Sequence, residues 1–105
     1  MSERAMLELC DEPPGSALVY EADAIMRGLS TLRPRLVRTL LQHCRSIKAK
    51  RLFLALATRH NHAWLSHLAL DGLDLGSGNR VLVPGGRLHP KYHITLPADL
   101  DEQLG

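Results

Sequence analysis

Residues 74–97, DLGSGNRVLVPGGRLHPKYHITLP, admit few folds. Gly76 and Gly78 flank Ser77, Gly85 and Gly86 stand side by side, and Pro84, Pro90 and Pro97 interrupt the rest. Glycine opens backbone angles that other residues resist, and proline removes a ladder donor. A helix cannot run through such a stretch. Between the breakers lie two extended runs, Val81–Val83 and Tyr92–Leu96, built from the β-branched and aromatic residues that strands favour. In the second run Tyr92, Ile94 and Leu96 share one parity and His93 and Thr95 the other, the pattern of a strand with one buried face. The spacing predicts a β-hairpin with a long glycine-rich connection, docked on whatever precedes it.

What precedes it reads as helix. Ser2 can cap a first helix carrying Glu3 in its first turn, with Met6, Leu9 and Cys10 as its apolar stripe, ended by Asp11-Glu12-Pro13-Pro14-Gly15. Ala22, Ile25, Met26 and Leu29 predict a second helix over 20–27, with Gly28 at its end. Pro34 starts a third, burying Leu36 or Val37, Leu40, Leu41 and Cys44 and turning Arg35, Arg38 and His43 to water. Ser46 caps a fourth over 47–60, whose wide apolar face (Leu52, Phe53, Ala55, Leu56) makes it the central helix, and Asn61 suits a left-handed cap. Trp64, Leu65, Leu68 and Leu70 suggest a short helical turn, and the tail from Asp99 is expected to fray. The fold class is therefore α+β: a mainly helical body of four to five helices with a C-terminal β-hairpin, one domain over 1–105.

Composition fits that picture. At 105 residues, 45% apolar and 23% charged, the chain is an ordinary soluble domain with a core of mostly Leu and Ala. Its longest apolar run, Leu52–Ala57, is too short to span a bilayer, and no signal peptide is visible, which points to the cytoplasm. Cys10 and Cys44 lack metal-ligand spacing and read as reduced thiols. The net charge of +2 conceals a segregation. Residues 1–23 hold six acids and one base, while residues 24–70 hold nine bases and no acid. A helical middle without carboxylates presents a positive field suited to an anionic partner, unless the acidic first helix packs beside it and cancels part of that field.

Three constellations could carry chemistry. His60, His62 and His67 cluster, but positions i and i+2 of a helix face apart and no acid or thiol stands nearby in sequence. Capping of a helix end and stacking near Trp64 account for them better, so no metal is expected. Gly76-Ser77-Gly78 matches neither GxGxxG nor the P-loop pattern, and Ser77 lacks the GxSxG frame of a nucleophile. No cofactor and no catalytic residue are expected. The basic helices fit better with binding. The helices near 20–29 and 34–44 could form a helix-turn-helix with the hairpin as its wing, so that Arg33, Arg35 and Arg38 meet phosphates; Pro34 and the lack of an early Asn or Gln weigh against base reading.

The residues Cys44-Arg45-Ser46-Ile47-Lys48-Ala49-Lys50-Arg51-Leu52-Phe53, Arg59-His60-Asn61-His62-Ala63-Trp64, Asp74–Arg80 and Gly85–Thr95 together resemble, in order and spacing, the C-terminal domain of AbiEi-type antitoxins. These are the antitoxin and autoregulator half of type IV abortive-infection toxin–antitoxin systems. The opening Ser2-Glu3-Arg4-Ala5 and the Gly28-Leu29-Ser30 turn are similar too, so the resemblance covers nearly the whole chain. Asn61, where a Gly is expected, and Arg33, where a capping Ser is expected, depart from the pattern without touching the fold. Family members usually carry a winged-helix domain ahead of this region, and this chain begins where that domain would end. The resemblance therefore implies a shortened or a stand-alone version.

The resemblance implies a non-enzymatic antitoxin domain that counteracts a nucleotidyltransferase-like toxin, without need of a stable complex, and supports autoregulation of its operon. Operator DNA would be bound weakly by this chain alone; a homodimer is the expected assembly if it self-associates. The alternative is a stand-alone winged-helix regulator, and a metal- or phosphate-binding enzyme fragment ranks last. For an anionic or nucleic-acid partner the candidate contacts are Arg33, Arg35, Arg38, Arg45, Lys48, Lys50, Arg51, Arg80, Arg87 and Lys91. From the matched motifs, Arg59, His60, Trp64, Asp74, Gly76, Ser77, Gly78, Gly85, Gly86 and Tyr92 are expected to be structural, with Asp74 paired to Arg80.

Overall fold

A computed structural model describes residues 2–13, 15–79, 81–83 and 85–100. Met1, Pro14, Arg80, Pro84 and the chain beyond Leu100 lie outside them, and with Arg80 goes its expected pairing to Asp74. The order is α1 (Ser2–Cys10), α2 (Ser16–Arg27), α3 (Pro34–His43), α4 (Ile47–His60), a 3-10 turn (Ala63–His67), β1 (Arg87–Leu88) and β2 (Thr95–Leu96). The architecture is α+β and mainly helical, with an antiparallel hairpin at its C-terminal end.

The fourth helix is the centre, as its wide apolar face requires. Every residue from Ala49 to Ala57 is buried, including Lys50 and Arg51. A helix enclosed all round must be surrounded by other elements: α1 and α2 pack against α4, and α1 also meets α3. Its ends are set by the residues the sequence marks. The Ser46 hydroxyl accepts the Ala49 N–H at 3.1 Å, satisfying a donor that the first turn leaves over. Asn61 closes the other end in the left-handed region, φ 50°, a conformation Asn tolerates better than most residues.

The second helix starts four residues earlier than the periodicity from Ala22 suggests, at Ser16. Leu18 and Val19 explain the extension: both are buried and continue the Ala22–Met26 face one turn back. In α3, Val37 and Leu41 are buried while Leu36, Leu40 and Cys44 are half-buried. Arg35 and His43 face solvent as expected, whereas Arg38 is partly covered.

The hairpin forms, but its first strand is not Val81–Val83. The pairing is Arg87 with Leu96 and Leu88 with Thr95. Leu82 and Val83 instead direct their N–H groups onto the Thr95 hydroxyl, at 2.8 and 3.1 Å. One side chain thus satisfies two backbone donors that a ladder would otherwise take. Gly86 must be glycine for packing reasons, since a Cβ there would collide with the Leu96 carbonyl. The alternation of the second run holds: Tyr92, Ile94 and Leu96 are buried and His93 is exposed. Asp99 and Leu100, expected to fray, are anchored: Asp99 accepts the Tyr20 hydroxyl and Leu100 is buried.

Candidate functional site

Two polar networks radiate from the central helix. The first lies at its C-terminal end. Arg59 and His60 both reach Asp23 of α2: Arg59 Nε donates to Oδ1 at 2.8 Å, and His60 Nε2 lies 2.7 Å from the same oxygen. All three side chains are nearly inaccessible, between 3% and 6% exposed. A carboxylate acceptor fixes the His60 proton on Nε2. Arg59 also donates to the Leu100 carbonyl. Beyond the cap, His62 Nε2 meets the Met26 carbonyl at 2.6 Å and Trp64 Nε1 donates to the Leu29 carbonyl at 2.7 Å. The rings of His60, His62 and Trp64 follow one another in a stack, about 6 Å between centroids. Helix-end capping and stacking, the reading favoured for these histidines, is what His62 does; His60 adds a carboxylate that lies far away in sequence. No hydroxyl or thiol among the described residues bonds to either histidine, so the nucleophile–base contact of a covalent catalyst is not assembled there. Nor do any three of His, Cys, Asp and Glu among the described residues come together to hold a metal. His67 is exposed and apart.

The second network centres on Arg51, one turn into α4. Its guanidinium donates from Nε to the Leu75 carbonyl at 2.7 Å and from Nη1 to the carbonyls of Gly78, at 2.6 Å, and His93, at 3.5 Å. One arginine thereby ties the central helix to both the glycine loop and the hairpin. Gly76 packs against this cradle with φ +71°, and a Cβ there would sit 2.9 Å from Ile47 Cγ2. Asp74 turns the same loop by accepting the Gly76 N–H at 2.9 Å. His93 is held in the left-handed region, φ 56°, where a residue other than Gly carries strain. Burial, followed by the charges of His93 and Lys91, holds the neighbouring His89 below its ordinary pKa.

The remaining candidates divide. Arg38 donates to the carbonyls of Ala69 and Asp71, pinning the 69–72 turn to α3. Lys48 reaches the Glu12 carbonyl at the end of the first helix. Arg33 clasps Glu3, Nε to Oε2 at 3.1 Å, and its backbone N–H donates to the same oxygen at 3.0 Å. That double grip holds the Glu3 carboxyl down at about 2. Arg35, Arg45, Arg87 and Lys91 are exposed, and Lys50 is buried. Gly78, Gly85 and Ser77 are exposed in turns, and Tyr92 packs inside. A cavity of about 420 Å³ lies between the end of α4 and the hairpin, walled by Thr58, Arg59, Leu88, Leu96 and Pro97 among others.

Three partnerships escape a reading of the sequence alone: Asp23 with Arg59 and His60, Glu3 with Arg33, and Arg51 with its carbonyls. The first two had a signal. An acid-rich N-terminal segment facing an acid-free basic middle invites pairing, and Asp23 adjoins the buried Ala22–Met26 face. The third had none, because carbonyl acceptors are invisible in a sequence.

A family model described as transcriptional regulator, AbiEi antitoxin, type IV toxin–antitoxin system, matches residues 1–97. The chain belongs to the AbiEi antitoxin family. That match spans all four helices, the cradle around Arg51 and the hairpin, so these are features of an AbiEi-family domain. Comparison with curated proteins and with solved structures returns no match. Among the described residues of this AbiEi-family chain no helix is long and apolar enough to cross a membrane.

Proposed function

We propose that this chain is the antitoxin-active domain of a type IV system, counteracting a nucleotidyltransferase-like toxin in the cytoplasm and supporting autoregulation of its operon. The observation that carries this reading is the family match over 97 residues of a 105-residue chain. The domain has no catalysis of its own, and its partners are the cognate toxin, operator DNA and, where it self-associates, a second copy. Direct DNA binding is weak. Arg33, Arg38 and Lys48 make their hydrogen bonds to acceptors within the fold, which leaves Arg35, Arg45 and Lys91 as the better-placed phosphate contacts on the surface. The winged-helix alternative has less in its favour, because Arg38 of the would-be recognition helix is engaged by the 69–72 turn.

Co-expression tests the proposal. The chain is expressed together with the nucleotidyltransferase-like product of the adjoining gene, and growth is followed. Restored growth is expected; unrelieved toxicity, with the chain shown to be folded and abundant, contradicts the antitoxin role.

A further inference from the structure

Arg51 presents an electrostatic imbalance that the fold does not resolve. The residue is 3% exposed, and its hydrogen-bond partners among the described residues are all neutral carbonyls. A buried cation ordinarily has an anionic partner, because carbonyl dipoles solvate the charge without cancelling it. The nearest acid in the loop, Asp74, has one carboxylate oxygen on the Gly76 N–H. The guanidinium also has a nitrogen left over. Nε and Nη1 make the three bonds, and Nη2 lies on the Gly76 side of the cradle, 3.5 Å from where a Cβ on that residue would be.

On that side is a small pocket of about 170 Å³ lined by Arg51, Leu75, Gly76, Lys91, Tyr92 and His93. Among the described residues its wall holds two basic side chains and a histidine, and no acid. Lys91 and His93 are exposed at its mouth, with Lys91 Nζ 5.5 Å from the centre of the Tyr92 ring. The volume is several times what one water needs, enough for a tetrahedral oxyanion. Planar guanidinium donors and a mobile ammonium are the groups that bind phosphate well.

We propose that this pocket is an oxyanion site taking a single phosphate group, with Arg51 as its fixed donor and Lys91 and His93 as its adjustable ones. The group is either free phosphate or a phosphodiester of a nucleic acid. The site is independent of antitoxin activity, so its failure would leave that reading intact.

The test is a titration of the ¹⁵N-labelled chain, followed by amide and arginine Nε–H resonances. One arm uses inorganic phosphate with chloride at matched ionic strength as the control; the other uses a short DNA duplex of arbitrary sequence. Saturable shifts of Leu75–Gly78, Lys91–His93 and the Arg51 Nε–H are expected in at least one arm, and confined to them with inorganic phosphate. Shifts with phosphate alone identify the free ion, and shifts with both identify phosphodiester as well. Lys91→Gln, an exposed change that leaves the core intact, should weaken binding by about two- to fivefold; Arg4→Gln, exposed on α1, should not. The proposal is overturned if neither arm gives saturable shifts in those segments, if chloride reproduces them, or if Lys91→Gln binds as the parent does.

Discussion

Glu3 shows how one residue can carry a fold-level contact. Its carboxyl is held at about 2, against an ordinary 4.5, chiefly by the hydrogen bond from the Arg33 side chain and then by the Arg33 backbone N–H. A carboxyl depressed in the folded state contributes stability at pH values above its unfolded pKa and loses it as pH falls through the folded one. Acid titration of stability should therefore show a loss between about pH 4.5 and about 2, and Glu3→Gln should be less stable at neutral pH and flatter across that window. Urea midpoints measured along a pH series check this; parallel curves for parent and variant would contradict it. Cys10 makes a second residue-scale case. Burial pushes its thiol up to about 12, so almost no thiolate, the reactive form, exists near neutrality. Treatment of the native chain with a thiol-specific disulfide reagent should label the half-buried Cys44 first, and Cys10 only on unfolding. Equal rates would show that the native fold does not enclose Cys10.

At the scale of elements, α2 and α4 are joined by a buried network in which Asp23 serves both Arg59 and His60. Removing one partner of a buried ion pair leaves the other charge uncompensated, at a cost of about 3–5 kcal/mol. Asp23→Ala should lower stability by that amount in chemical denaturation, and a loss under about 1 kcal/mol would mean that solvent reaches the pair. This scale also shows what the sequence makes legible. Helix ends are local, and the residues that mark them (Pro34, Ser46, Asn61) sit where expected, as do the alternating buried positions of Tyr92, Ile94 and Leu96. Strand pairing is not local. Val81–Val83 has the composition of a strand, yet the Leu82 and Val83 donors go to a threonine side chain while Arg87–Leu88, less strand-like, takes the ladder position. The candidate site divides in the same way. That His62 serves a helix end and stacks on Trp64 could be read from spacing; that Arg51 would be buried among three carbonyls could not.

Across the whole molecule, the nine bases of residues 24–70 do not form one free cationic face. Arg38, Lys48 and Arg51 hold turns and helix ends through carbonyls, and Arg33 and Arg59 hold the acids of α1 and α2. Two acids of the N-terminal helices are thus fastened by bases of the middle segment, Glu3 by Arg33 at the start of α3 and Asp23 by Arg59 of α4. What remains exposed suits weak, sequence-independent contact with phosphates. The central claim, that this basic middle serves assembly more than DNA recognition, is tested most directly by the salt dependence of DNA binding. With about three phosphates contacted, log K should fall against log salt with a slope no steeper than about −3, and binding should disappear near physiological salt. Tight, sequence-selective binding that persists at physiological salt would contradict it.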